Sequence, residues 1–302
     1  MVVAQKMNHT AIIFAAGKGV RLRPHTNTIP KCMLKVNGKT LIEYQVEACK
    51  QAGITEIIVI VGYKGEKIKR LLKDTVRYVW NNKFAETQTL YSLHLTQKLC
   101  QGLPVIHIDG DNYFEPLLIK KIIANPSQNV LLMEFRNKLD KEATKAVIQN
   151  KRLRYVSKDI PLDRASGEST GILKLSASLS SKLYEQARKS ARQKRYELHV
   201  HDGLNQLLTN NVVRTMPCNE SYWLEIDFKK DLARARTIAS KPLGVIFAAS
   251  LGKKMNIKHK NYLKFDRLKL TTTGMTQNEI SFKNQHSRTR KVIYTLEKNQ
   301  VG

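Results

Sequence analysis

Two glycines, Gly17 and Gly19, follow an apolar run, and Arg21 and then Lys31, just after Pro30, come next in the chain. Glycines at a strand end permit a tight turn with little side-chain bulk, so backbone N–H groups can approach a polyphosphate. Arg21 is spaced to neutralise the β- and γ-phosphates from the loop, and Lys31 to reach the α-phosphate region from the other side, with Lys18 as a further cation. The chemistry this predicts is carried by charge and positioning. Neither the GxxxxGK[ST] phosphate loop nor the GxGxxG dinucleotide fingerprint is present. Short glycine spacings also occur in purely structural turns, so the basic residues at fixed distances carry the reading.

Such a loop needs a strand to hold it and a helix to follow. AIIFAA, residues 11–16, is a continuous apolar run of the kind buried on both faces of a parallel sheet. Thr40 precedes LIEYQVEACKQA as N-cap, with Leu41, Tyr44, Ala48 and Cys49 at helical spacing and Gly53 just past the C-terminus. EIIVIV, residues 56–61, predicts a second strand and GEKIKRLL a second helix. The chain opens as βαβα, and right-handed crossovers make that a parallel sheet with helices on its faces. Further strands are expected at residues 76–80, 105–108, 130–134, 146–148 and 153–156, and helices at 114–124, 178–192, 201–208 and 229–238. The alternation loosens after residue 130, so a parallel half joined to a mixed, partly antiparallel half is expected.

The chain has 302 residues, 42% of them hydrophobic and 25% charged, with 15 Gly and 8 Pro, which excludes collagen-like, low-complexity and wholly disordered classes. Cys32, Cys49, Cys100 and Cys218 form no CxxC pair and read as reduced thiols. The opening residues lack a signal-peptide apolar run and no stretch reaches the ~18 uninterrupted apolar residues of a membrane span, so a cytoplasmic setting is expected. The net charge is +27, with +10 in residues 241–302 and +17 in residues 1–240. No nucleic-acid-binding module accompanies it, so it reads as a lysine-rich surface and a positive cleft for phosphorylated substrates before it reads as a nucleic-acid interface. Residues 1–240 are expected to form the catalytic domain, and 241–302 a basic C-terminal extension.

The whole stretch AAGKGVRLRPHTNTIPKCMLKVNGKTLIE resembles the opening pattern of the nucleotidyltransferases that activate sugar 1-phosphates and choline phosphate, AAGxGxRLxPxTxxxPKxLLxVxGKPxLE. It departs from it at Val20, commonly Ser or Thr, and at Thr40, commonly Pro. The resemblance implies a Rossmann-like α/β fold with a mixed, mainly parallel sheet, and a transfer that needs Mg²⁺. It points to Asp111 in VIHIDGDNYF as a metal ligand, with Asp109 as runner-up and nucleotide contact, and to Asp227 in YWLEIDFKKDLARA as the second ligand. Oxygen ligands at strand ends suit that hard ion. Glu225, two residues earlier in an expected strand, points to the same face as Asp227. Asp231 fits the first turn of the next helix, where a carboxylate is favourable without a catalytic role.

Carried over in the same way, Ala15, Ala16, Gly17, Lys18, Gly19 and Arg21 surround the nucleotide, and Gln88 is an edge contact to the base. The segments NNKFAETQTLYSL and GESTGILKLS look like the choline-phosphate cytidylyltransferase branch, although Gln88 stands where that branch has Asn. The implied reaction is transfer of a nucleotidyl group, CMP from CTP, to a small phosphorylated amino alcohol such as choline phosphate; the alternatives are transfer from UTP or dTTP to a sugar 1-phosphate, and a basic nucleic-acid-binding protein on an inactive transferase fold. A quaternary ammonium calls for aromatic faces and a carboxylate, and Tyr222, Trp223 and Tyr196 are candidates beside Glu225, with Trp80, Tyr91 and Tyr113 also available. The substrate phosphate is itself the nucleophile, so no catalytic role falls to His25, His107, His199 or His201.

Overall fold

The computed structural model describes residues 9–135, 139–140, 142–218 and 223–240, together with the backbone of 277–283 and 289–295. The chain divides into two units, Met1–Ser240 and Lys241–Gly302. In the second, strands β14 (Gln277–Lys283) and β15 (Thr289–Thr295) pair as an antiparallel hairpin where the sequence offers no clear periodicity.

The first unit is an α/β fold built on one nine-stranded sheet. Its opening strands are β1 (Thr10–Ala15), β4 (Ile57–Val61), β5 (Arg77–Trp80) and β6 (Val105–Asp109), all parallel to one another. Two short strands, β2 (Lys35–Val36) and β3 (Lys39–Thr40), form a small hairpin beside them. The second half adds β8 (Val130–Glu134), β9 (Lys145–Gln149), β10 (Arg152–Ser157), β11 (Gly167–Leu175) and β12 (Arg214–Cys218). The order across the sheet is β5-β4-β1-β6-β11-β8-β12-β10-β9. β11 runs antiparallel to both β6 and β8, so the parallel half passes into a mixed half at this strand.

The sheet is buried on both faces, as the apolar runs require. Alternate residues of β1 point to opposite sides: Ala11, Ile13 and Ala15 pack into one core cluster, Ile12 and Phe14 into another. The first cluster is closed by helices α1 (Leu41–Gln51), α2 (Gly65–Leu72) and α5 (Leu117–Ala124). The second is closed by α3 (Thr89–Leu95), α4 (Gln97–Cys100), α6 (Ala177–Arg192) and α7 (Val200–Asn205). Thr40 caps α1 as expected, its side chain accepting from the Glu43 N–H while Glu43 reaches back to the Thr40 N–H. All four cysteines are buried free thiols, and burial pushes Cys32 and Cys49 up to about 12.

Two expectations differ from what is found. Phe114, expected in a helix, lies in β7 (Asn112–Phe114), which pairs antiparallel with β13 (Trp223–Glu225). β11 and β12 were not anticipated, because β11 is interrupted by Gly171 and β12 carries Pro217, both residues that weaken a strand signal. The last helix, α8 (Lys229–Ala239), packs Leu232 and Ala235 against Leu22, Leu34, Val36 and Leu224. That third cluster ties the segment bearing Lys31 to the one bearing Asp227. Among the described residues no helix is long and apolar enough to cross a membrane.

Candidate active site

Gly19 opens the site. Its backbone is left-handed, with φ 61°, and a Cβ there would lie 2.8 Å from the Lys31 Cβ, so the loop can turn over the stem of that lysine only as glycine. Thr26 holds the turn by donating its hydroxyl to the Gly19 carbonyl at 2.8 Å. The Arg21 guanidinium, also lying over the Phe228 ring at 5.5 Å, and the Lys31 ammonium then reach one place from two sides of the loop.

That place is a carboxylate cluster. Lys31 Nζ donates to Asp111 Oδ2 at 2.7 Å and to Asp227 Oδ1 at 2.5 Å, and Arg21 Nη2 pairs with Asp227 Oδ2 at 2.9 Å. The β7–β13 ribbon sets the geometry: Asn112 stands opposite Glu225, and the Ile226 N–H donates to the Asp111 carbonyl at 3.1 Å. Gln45 of α1 secures the same turn by donating to the carbonyls of Asp109 and Asn112, and the Trp223 indole donates to Asn112 Oδ1 at 3.0 Å. Asp231 sits in the first turn of α8, where its carboxylate accepts from the Asp227 and Phe228 N–H groups. Contrary to expectation, Glu225 and Asp227 do not share a strand. β13 ends at Glu225, and Asp227 lies in the connection to α8, held by the Asp231 cap and not by strand pleating.

Burial would drive Lys31 toward neutrality, but the carboxylates of Asp111, Asp227 and Glu225 outweigh it and hold the ammonium above its ordinary range. Burial likewise opposes ionisation of Asp111, and Lys31 overcomes it, so this carboxyl is held below its usual value. Glu225 is pushed well above the carboxylate range by burial and by Asp111 and Asp227. Asp109 is pushed up to about 8 by burial and then by Asp111. Its side chain occupies the space beside Gly171, where a Cβ would meet Oδ2 at 2.1 Å.

Ligand oxygens of Asp111, Glu225 and Asp227 all lie within 4.8 Å of one another, and Asp111 Oδ1 is buried without a hydrogen-bond partner. Three converging carboxylates, one with an unsatisfied oxygen, fit a hard divalent cation. Asp109 is outside this group, and Glu225, expected at the substrate, is inside it.

The cluster lines a cavity of about 620 Å³, together with Ala16, Gly17, Lys18, Gly19, Gln88 and Asp109. Ala15 is in β1, buried beneath the loop and not on the cavity wall. On the β5–α3 side the wall is Asn81, Phe84, Ala85, Thr87, Gln88 and Ser92. Their spacing has a structural reason: the buried Asn81 amide donates to both Thr87 and Ser92, each at 3.0 Å, and folds the segment into one wall.

The aromatic residues expected to face an ammonium are elsewhere. Trp223 is buried in the core, and Tyr113 packs edge-on against Tyr44. Tyr196 contacts Tyr91 and accepts from Lys83 Nζ at 3.3 Å, and neither Tyr196, Tyr91 nor Trp80 lines the cavity. Tyr222 lies outside the described residues. In their place the wall toward β10, β11 and α7 carries His107, Lys158, Ser169, His199 and His201. No spacing in the sequence marks these. His107, His199 and His201 carry no catalytic expectation from the sequence, and Ser169, Thr170 and Gly171 lie in GESTGILKLS.

Residues 10–114 match the family model for nucleotidyl transferases. The choline-phosphate cytidylyltransferase of Streptococcus pneumoniae is 49% identical over 104 residues, covering 34% of this chain and 44% of that protein, so the aligned part spans less than half of this curated relative. A solved structure of a CTP:phosphocholine cytidylyltransferase from Streptococcus pneumoniae superposes with TM-score 0.66 at 26% identity, covering 78% of this chain and 100% of that one. An inositol-1-phosphate CTP transferase from T. maritima superposes with TM-score 0.66 at 25% identity, over 78% of this chain and 96% of the other.

Proposed function

The chain carries a domain of the nucleotidyltransferase family, and from that premise we propose that it transfers CMP from CTP to the phosphate of a small phosphorylated alcohol, releasing pyrophosphate. The observation that carries this reading is the meeting of Lys31, Arg21, Asp111 and Asp227 at the mouth of a glycine-rich loop. A phosphate oxygen of the acceptor attacks the α-phosphorus in line, a new P–O bond forms, and the bond from the α-phosphorus to the bridging oxygen breaks. The electron pair leaves with pyrophosphate. The nucleophile is already ionised, so no general base and no covalent enzyme intermediate are needed.

Lys31 lies close enough to both aspartates to pass between them and an α-phosphate oxygen, offsetting charge that builds during transfer. Arg21, more exposed, faces the leaving phosphates from the loop. Asp111 and Asp227, with Glu225 beside them, would hold Mg²⁺, which when bound screens the repulsion between the two reacting phosphates. The open space above Gly17 admits the nucleotide, and the Phe84–Gln88 wall takes the base.

CTP is favoured because both solved relatives above are named for it. The same names offer two kinds of acceptor, phosphocholine and inositol 1-phosphate. Pyrophosphate release by the full chain with Mg²⁺, with CTP against UTP and a panel of acceptor phosphates, tests the reading. Release that requires CTP supports it; no release with any pairing overturns it.

A further inference from the structure

Away from the carboxylates, the cavity runs over the sheet toward α7. The His107 ring lies on the floor in β6, 3% exposed, and neither ring nitrogen has a hydrogen-bond partner. Its neighbour Phe14 meets it edge-on at 5.6 Å. On the wall, the His199 and His201 rings stack in parallel, 5.1 Å apart with 4° between planes. Lys158 and Ser169 complete this end. The histidines come from two segments far apart in sequence, and all three line the same cavity.

Buried polar atoms without partners are costly unless something supplies a partner. Burial lowers the pKa of His107, His199 and His201, and the uncharged His107 ring offers one N–H donor and one nitrogen acceptor, both without a partner, while His201 Nε2 lies 3.8 Å from Asp202 Oδ1. A donor–acceptor pair is what a hydroxyl group matches. A quaternary ammonium matches neither: it forms no conventional hydrogen bond and is stabilised by several aromatic faces or by an anion. Two Phe side chains line the cavity, but Phe14 is engaged in a T-shaped contact with His107 and Phe84 lies on the β5–α3 wall near Lys18. Lys158, on the cavity lining, repels an ammonium further, and the Asp202 carboxylate beside His201 is not part of that lining.

We infer that the recess of His107, His199 and His201 receives the body of the acceptor and selects a hydroxyl-bearing alcohol phosphate over a quaternary ammonium such as choline phosphate. This inference rests on the nucleotidyl-transfer reading above. His201 is a specificity residue in it, acting on acceptor binding and not on the reacting phosphates.

The test is pyrophosphate release by the full chain with CTP and Mg²⁺, offering glycerol 3-phosphate and glucose 1-phosphate against choline phosphate and phosphoethanolamine. The expected result is a kcat/KM at least about tenfold higher for one of the two hydroxyl-bearing acceptors, since a site built to hydrogen-bond a substrate rejects the analogue that cannot reply. His201→Phe keeps the stack on His199 and removes the hydrogen bond. It is expected to raise KM for that acceptor about tenfold, with kcat and the KM for CTP within twofold, and His201→Asn to restore part of the loss. A misfolded variant would show in a raised KM for CTP, and the acceptor panel on the unaltered chain decides the matter in that case. Choline phosphate outrunning both hydroxyl acceptors, or His201→Phe changing kcat alone, overturns the inference while the transferase reading stands. Absence of pyrophosphate with every acceptor overturns both.

Discussion

The two ends of the cavity are built from opposite chemistry. At one, Arg21, Lys31, Asp111 and Asp227 crowd into a network of ion pairs with Glu225 beside them. At the other, buried imidazoles are held neutral beside a serine and one lysine. In the proposed reaction the charged end would stabilise charge that moves during transfer, and the neutral end would recognise shape and hydrogen-bonding pattern. Substitutions at the first should therefore reach kcat, and those at the second KM.

The sharpest break of this comparison is at the carboxylates. Asp227→Ala removes a partner of both Lys31 and Arg21 and one of the three converging oxygens. Turnover should fall by about a thousandfold, ~4 kcal/mol of barrier, with Asp111→Ala behaving alike and circular dichroism unchanged. Turnover of Asp227→Ala close to that of the unaltered chain would remove the aspartate from the chemistry. Lys31→Ala comes next, with an expected loss of about a hundredfold in kcat, ~3 kcal/mol. The KM for the acceptor should barely move, because Lys31 lies at the charged end. A loss seen mainly in the acceptor KM would contradict the division of the cavity.

The neutral end makes a prediction about pH. His107 has its pKa lowered from 6.5 to about 3 by burial, so the folded state leaves it uncharged where the unfolded chain would protonate it. Between those values the unfolded state binds the extra proton. Stability is fully kept above pH 6.5 and is lost as the pH falls toward 3, by up to about 1.4 kcal/mol per pH unit. His107→Phe, apolar and near Phe14, removes this dependence. Urea midpoints at pH 7 and pH 5 should show the unaltered chain losing ~2 kcal/mol more than the variant. Equal losses would mean that the ring is not held neutral in the folded protein.

The charged end was legible in the sequence and the neutral end was not, and the reason is local. Gly17, Gly19, Arg21 and Lys31 lie in one continuous segment, so the order of residue types carries the geometry. Thr40 and Glu43 announce α1 by the same short-range logic. The recess depends on β6, β10, β11 and α7 meeting across the sheet, and His107 reads in the sequence only as one polar residue inside an apolar strand. Glu225 falls between these cases. Its place near Asp227 was legible, but its place beside Asp111 rests on the β7–β13 ribbon, which three-residue strands do not signal. The aromatic residues show the converse. Trp223 stands next to the segment of Glu225 and Asp227 in sequence, yet strand alternation turns its ring into the core, where it braces Asn112.

Gly19 gives the finest test, because it touches the charged end without contributing a charge. Any side chain there must adopt the left-handed backbone, which costs a non-glycine residue roughly 1–2 kcal/mol, and must also pass the Lys31 Cβ at 2.8 Å. The backbone strain lowers stability, and the contact moves the lysine stem away from Asp111 and Asp227. Gly19→Ala should lower the unfolding free energy from urea titration by roughly that amount and reduce kcat about tenfold. Gly17→Ala meets nothing within 4 Å and no left-handed backbone, so it should leave stability within ~0.5 kcal/mol of the unaltered chain. If the two variants behave alike in stability and kcat, the position of Lys31 is not set by the Gly19 turn, and the charged end is held by its ion pairs alone.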